Sequence, residues 1–473
     1  MNFKKALWTL PLAITLAACG GDSSSGSDPE NPGELSSASD APVPDLNSSD
    51  SNGGEVPPPS PATAVALPAG ANIAAAKAMY ETWRNRWVIT LEEEVAGGST
   101  VDYTLCTNSQ AQALVAQKQG AYVSPARVIW DGGSKSLGAL EGMTSWRGMQ
   151  ITPTLQNKLG LSVSEGIGYG MLLAAVHEDW PTFNALWSYN IIMRDNSNYG
   201  LMPWRIYSFS NSIDNQAAMD ADIDVATSLI IAGKKTGNAA YTNDAVELVG
   251  RLYTYGVHPQ TLLILPGETW KNRNVYNLSY FSPAALKLFA EVDPAHDWNA
   301  VLNANYAYML KVQGLGAVPL FPDWSNADGI PVDPENGSAA KSYMLFYKES
   351  VRIPWRIAWD YYWNQDENAK TILTNMSTFI STATAGDPNA IPRTAYNYLT
   401  GALSESSATG LHYIGEYCLM GLGVNQAWSD ACYVRFNTDV ASYGWTGYSG
   451  TYFLEILANL FGSLMNGAFV KPN

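Results

Sequence analysis

The sequence predicts an all-α fold, a single toroid of helices joined by long functional loops. Three observations carry this. Helix-length segments with apolar residues three and four apart recur through residues 69–473. Loops rich in Gly, Pro, Asn and Trp separate them, and strand-like alternation is confined to short pieces such as 261–265. No internal stretch has linker composition, so one closed helical body suits this run better than two domains.

The N-terminus precedes that body and reads as an address. Lys4 and Lys5 stand before an apolar run, 6–18, too short to span a bilayer as a helix. The run ends in Leu16-Ala17-Ala18-Cys19, which resembles a bacterial lipobox; an ordinary secretory signal cut nearby is the rival. Residues 1–19 are therefore expected to be a lipoprotein signal, with Cys19 lipidated. Gly20 after the cysteine suits an outer-membrane destination, so the protein is expected to be exported and held to the cell envelope by its lipid. Residues 20–68 are Ser, Gly, Asp, Pro and Asn with few large apolar side chains. Such a segment cannot bury enough surface to offset its ordering entropy, and a disordered tether is expected.

Within the body, helices are expected at 74–88, 168–177, 222–234, 243–255, 282–290, 298–312, 354–363, 369–382 and 451–464. A net charge of −16 argues against nucleic acid, whose affinity comes mostly from Lys and Arg on phosphates. His177, His258, His296 and His412 are scattered without metal-ligand spacing, so neither metal nor other cofactor is expected. Cys418 and Cys432 are close enough in sequence for a disulfide in an exported protein, a link worth about 3 kcal/mol in the chain-entropy model; Cys106 is then a buried free thiol. The 16 Trp and 26 Tyr are abundant, and several loop tryptophans (Trp146, Trp204, Trp270, Trp324) stand beside polar residues. As a set they suit sugar rings, which stack an apolar face on aromatics while their hydroxyls take hydrogen bonds.

Two acidic stretches carry the candidate chemistry. In Ser162–Met171 a carboxylate, Glu165, precedes Gly166, Gly168 and Gly170. A dinucleotide fingerprint needs a preceding strand and G-x-G-x-x-G, and a P-loop needs G-K-[ST]. Neither fits, and Glu165 would repel an anion. The glycines are instead expected to clear room for a ligand beside Glu165. In Ala218–Ala226, Asp220, Asp222 and Asp224 crowd a helix start, more acids than the helix dipole requires. On a helix Asp220 and Asp224 share a face while Asp222 points elsewhere. A calcium loop would want more oxygen ligands and a flexible glycine-bearing loop.

These stretches resemble glycoside hydrolase family 8. The S-E-G-x-G-Y-G-M motif stands as Ser164–Met171. The A-[ST]-D-[AG]-D-x-x-[IM]-A signature is similar to Ala218–Ala226, with Met219 and Val225 departing from it. Gly200–Arg205, Tyr280–Ala284, Phe321–Trp324 and Arg352–Arg356 follow in family order, so the resemblance spans roughly residues 75 to 465. It implies an (α/α)6 barrel and an inverting, endo-acting hydrolase of β-1,4-linked polysaccharide such as cellulose or a related β-glucan, xylan or chitosan. Glu165 would be the general acid, kept protonated by partial burial, and Asp220 the motif aspartate near the cleaved sugar. Asp222, Tyr169, Trp204, Arg205, Tyr280, Asp323, Trp324 and Arg352 would bind substrate.

The base position departs from the family. Many members carry Asp three residues before the arginine of R-x-P-W-R, in a Y-D-A-x-R pattern; here Glu349 occupies that place and Tyr347 is shifted by one. Glu349 is expected to be the base, ionised by Lys348 and Arg352. Asp323, Asp328 and the acids at 220–224 stand as alternatives. The rival function is a non-catalytic glycan-binding lipoprotein on a hydrolase scaffold. The polysaccharide is the expected partner, the membrane is met only through the lipid, and a monomer is expected.

Overall fold

The computed structural model describes residues 64–96, 101–130, 145–146, 149–150, 161–210, 212–338, 343–407, 412–443 and 455–473. Cys19 and nearly all of 1–68 lie outside them. Contacts divide the chain into two units. One takes 1–63 and 145–150, of which an antiparallel pair, Ser145–Trp146 with Met149–Gln150, is described. The other takes 64–144 and 151–473 and holds everything below.

Among the described residues of this second unit, twelve helices carry the architecture. They are α1 Ile73–Trp87, α2 Ser164–Val176, α3 Trp180–Asp195, α4 Met219–Thr236, α5 Ala239–Gly256, α6 Pro283–Val292, α7 Trp298–Leu315, α8 Ile353–Asn364, α9 Glu367–Ala383, α10 His412–Leu419, α11 Gln426–Tyr443 and α12 Leu457–Met465. Helices α2, α4, α6, α8, α10 and α12 pack in sequence, and α12 returns to α2, closing an inner ring. Each carries one outer partner: α3, α5, α7, α9, α11 and, on α12, α1. This is the (α/α)6 barrel.

Side-chain pattern sorts the rings. An inner helix touches neighbours on every side, so it is apolar all round. Nearly every residue of α2, α4 and α12 is buried. Outer helix α5 buries one stripe, Tyr241, Ala245, Leu248, Val249 and Leu252, whereas α3 is buried without a break from Leu186 to Arg194. Side-chain caps start the outer helices: Asn72 accepts from Ala74 N, Asp179 from Thr182 N, Asn238 from Ala240 N, Asp297 from Ala300 N and Asp366 from Asn368 N. A disulfide joins Cys418 on α10 to Cys432 on α11, across an inner–outer pair. Cys106 is buried with a free thiol, pushed up to about 12 chiefly by burial.

The expected helices at 74–88 through 369–382 fall on α1, α2 and α4 to α9. The α12 helix begins at Leu457, later than expected, and 451–454 lie outside the described residues. Helices α3, α10 and α11, and the shorter Ser109–Gln119, were not anticipated. The 261–265 piece makes no strand: Ile264 forms an isolated bridge with Val257.

Small sheets set the starts of three inner helices. Ser162–Val163 pairs with Pro203–Ile206, which pairs with Ser212–Ala217. The first of these strands runs directly into α2 and the third into α4, so the two helix starts are held side by side. Leu345–Phe346, paired with Thr394–Asn397, leads through a tight turn into α8.

Candidate active site

The N-terminal ends of α2, α4 and α8 bring four charged side chains together. Glu165 lies in the first turn of α2 and Asp220 in the first turn of α4, where the helix dipole favours a carboxylate. Arg352 ends a short 3-10 turn, Ser350–Arg352, immediately before α8. Its side chain is 1% exposed and its guanidinium is the hub. One terminal nitrogen, Nη1, donates to Glu165 Oε1 and, at 3.0 Å, to Asp220 Oδ2. The other, Nη2, donates to Glu349 Oε2, and Nε reaches the Glu349 carbonyl at 3.2 Å. A planar fork of fixed donors can do this where a lysine's point charge could not.

The three carboxylates differ in exposure. Glu165 is 17% and Glu349 28% exposed at the side chain, whereas Asp220 is 1% exposed. Burial and the neighbouring Glu165 push Asp220 well above the usual carboxylate range, against the pull of Arg352. Tyr169, four residues after Glu165 and therefore on the same helix face, donates to Glu165 Oε1 at 2.8 Å. Asn277 Nδ2 donates to Glu349 Oε2 at 3.0 Å.

A second rung lies beneath. Arg356 pairs with Asp224 through both terminal nitrogens, Nη2 to Oδ2 at 2.8 Å. Asp220 and Asp224 on α4 thus face Arg352 and Arg356 with the same four-residue step. The strand leading into α2 has its own anchor: Arg127, paired with Glu94 at 2.7 Å and fully buried, donates to Ser162 Oγ at 3.0 Å. Such pairs are justified by the geometry they hold more than by net stability.

Aromatic rings flank the hub. Tyr280 sits 5.4 Å from the Arg352 guanidinium, Trp324 packs against Tyr280 at 6.4 Å, and Trp270 stacks on Trp324 at 5.8 Å. All three rings are half-buried. Trp204 Nε1 and Arg205 share Asp214, at 3.0 and 2.9 Å, with the guanidinium 4.5 Å from the indole ring.

Several expectations are revised by these placements. The helix expected at 168–177 begins at Ser164, so all three glycines lie inside α2, where they serve packing. A Cβ at Gly168 would lie 2.8 Å from the Ala221 carbonyl, at Gly166 2.8 Å from Trp130, and at Gly170 2.9 Å from Val128. They let α2 approach α4 and the strand at 126–128, and do not make room for a ligand. Asp222 is fully buried and accepts from Met202 N at 3.1 Å, on the turn before Pro203. Burial raises it to about 7. Asp323 is also buried, and its carboxylate accepts from the backbone N–H groups of 347, 348, 349 and 350 and from Ser350 Oγ. It shapes the turn that presents Glu349. Tyr169 has no exposed surface and Arg352 almost none, and each meets the carboxylates at their oxygens. Asp328 is an exposed partner of Lys311 at 3.6 Å. The side chain of Trp146 lies outside the described residues. Asn277, the Arg127–Glu94 pair and the Asp224–Arg356 rung were missed as site elements. Only the rung had a readable signal, the matched four-residue spacing.

Comparisons with known proteins give the family and the fold. The model of the family "Glycosyl hydrolases family 8" matches residues 149–430. Endoglucanase C of Ruminiclostridium cellulolyticum is 37% identical over 224 residues, 46% of each chain, and endoglucanase 2 of Ruminiclostridium josui is 36% identical over 234 residues, 48% of each. The chain spans about half the length of these curated relatives in the match. Among solved structures, a β-1,3-1,4-glucanase from Paenibacillus sp. X4 superposes with a TM-score of 0.64 at 19% identity, covering 87% of this chain and 97% of that one. A reducing-end-xylose releasing exo-oligoxylanase gives 0.55 at 15% identity, covering 83% and 99%. These likenesses carry the fold. With 149–430 matched and the carboxylate–arginine hub falling within it, the chain belongs to glycosyl hydrolase family 8.

Proposed function

We propose that the protein hydrolyses β-1,4-glycosidic bonds within a polysaccharide by inversion, with Glu165 as general acid and Glu349 as general base. One observation carries the reading: two partly exposed carboxylates meet separate nitrogens of a single buried guanidinium. An inverting glycosidase needs two carboxyl groups far enough apart for a water and a sugar to lie between them, roughly 6.5–9.5 Å. Bonded to Glu165 and Glu349 through different nitrogens, Arg352 holds the orientation of both carboxyl groups. In the reaction Glu165 gives its proton to the leaving glycosidic oxygen as the bond to the anomeric carbon breaks. Glu349 takes a proton from the water whose oxygen bonds to that carbon from the opposite face. Asp220 and Tyr169 hold Arg352 and Glu165 in register, and Asn277 and the Asp323-bound turn do so for Glu349. Tyr280, Trp324 and Trp270 offer ring faces to the sugar chain.

The endoglucanases among the relatives favour a β-glucan as substrate, with xylan and chitosan as the other β-1,4 backbones to test. In a panel of carboxymethylcellulose, mixed-linkage glucan, xylan and chitosan, the wild type should release reducing ends from at least one polymer. Glu165→Gln should lose nearly all of that turnover while keeping its fold. Retained turnover would remove Glu165 from the acid role, and polymer binding without hydrolysis by the wild type would replace the enzyme with a glycan-capture protein. We further infer export with lipidation at Cys19, supported by Lys4, Lys5 and the lipobox-like run. Labelled palmitate should enter the full-length protein and not Cys19→Ala; equal labelling would contradict the anchor.

A further inference from the structure

A groove that shares no lining residue with the carboxylate hub runs along the loop that carries Trp270. Its volume is about 630 Å3. The C-terminal turn of α5 supplies Tyr253 and Tyr255, the turn before the 203–206 strand supplies Tyr199, and the 257–271 segment supplies Leu262, Glu268 and Lys271. Tyr199 and Tyr255 meet edge to face with centroids 5.1 Å apart, and Tyr253 is backed by His296 at 4.2 Å. These rings are half-buried.

Two independent features mark the groove as built. Glu268 is 8% exposed; its Oε2 accepts from Ala217 N at 2.9 Å, but its buried Oε1 takes no hydrogen bond from another residue. Among the described residues, its own backbone N–H is the one other donor to this carboxylate, and a ligand hydroxyl would add a further one. Burial also raises the Glu268 carboxyl above its ordinary range. The second feature is Leu262, a branched residue at φ 58 in the left-handed region, where L side chains are strained. It is pinned there by its N–H to the His258 carbonyl at 2.8 Å and by Asn305 Nδ2 to its own carbonyl at 2.9 Å.

We propose that this groove is a distal glycan-binding site that holds one or more neutral pyranose residues of a chain extending from the cleavage site. The Tyr199 and Tyr255 pair contacts the sugar's apolar face, Glu268 accepts from a hydroxyl and Lys271 donates to one. The shared 266–271 loop gives the continuity: Trp270 belongs to the ring wall beside Arg352, while Glu268 and Lys271, to either side of it, line the groove. A lining of tyrosine, leucine and one buried carboxylate suits a ligand with an apolar face and hydroxyl edges, not an anion. The proposal rests on the glycanase reading for its ligand class.

The test is retention in native gels cast with carboxymethylcellulose, mixed-linkage glucan, xylan or chitosan, using full-length Glu165→Gln as the parent. Adding Tyr199→Ala and Tyr255→Ala should weaken retention by about fivefold to tenfold in the gel that retains the parent. Adding Glu268→Gln alone, which keeps an acceptor for Ala217 N, should weaken it in the same gel. Thermal melts establish that each variant is folded; if the double tyrosine variant is not, Glu268→Gln decides. Unchanged retention of a folded variant overturns the groove whether or not the wild type is active. A parent that no gel retains overturns it too. A wild type inactive on every polymer would sink the hydrolase reading alone, because retention reads binding without turnover.

Discussion

At the residue scale, the acids of the α4 start show how one local sequence divides into separate tasks. Asp220 points at Arg352 just before α8 and Asp224 at Arg356 on it, and Asp222, turned to the other side of the helix, holds the Met202 turn. Each is fully buried, but only the first two meet a guanidinium at hydrogen-bond distance. Asp222 stands at about 7 in the folded protein against 3.8 in a free chain. The folded state therefore keeps a proton that the unfolded state releases. This contribution to stability is whole below about pH 4 and is lost as pH rises through about 7. Asp222→Asn keeps an acceptor for Met202 N and removes the ionisation. Its unfolding free energy relative to wild type should climb between about pH 4 and pH 7 in urea titrations, and a constant difference would show that Asp222 does not carry that proton.

At the element scale, the contact between α2 and α4 decides whether the acid is placed correctly. Gly168 sits where a Cβ would come within 2.8 Å of the Ala221 backbone carbonyl and 3.2 Å of the Asp224 Cβ, neither of which can swing away. Gly168→Ala should therefore push the helices apart, at a cost of about 1–3 kcal/mol. Because Glu165 and Asp220 ride on these two helices and meet at Arg352, kcat should fall as well, by about tenfold or more. Equilibrium unfolding and initial rates on the best polymer of the panel check both effects. Wild-type values for stability and rate would mean that the close approach is not needed.

At the scale of the whole molecule, the parts legible in the sequence were those whose surroundings are one-sided. Outer helices such as α5, α7 and α9 have a buried stripe and an exposed one, so their periodicity speaks directly. The start of α2 is buried on all sides and rich in glycine, which erases the period, so the expected helix begins only at 168. Helix α3 hid for a related reason, since Leu186–Arg194 is buried without interruption. The carboxylates of the site were readable through their motifs, and their division of labour was not. Asp323 and Asp222 look like any other acid beside an active site until their backbone partners are known. Asn277 reaches Glu349 from 72 positions away, and nothing in its local sequence announces it.

The barrel brings the starts of α2, α4 and α8 to one point, and the account stands on what the two exposed carboxylates there do together. Proton NMR of a freshly cleaved β-1,4-glucan oligosaccharide, recorded before mutarotation equilibrates the new end, reads this most directly. Glu165 and Glu349 acting as separated acid and base require the new reducing end to appear first as the α-anomer. A β-anomer appearing first would mean that the bond is cleaved with retention, and the assignment of Glu349 as the base would be wrong.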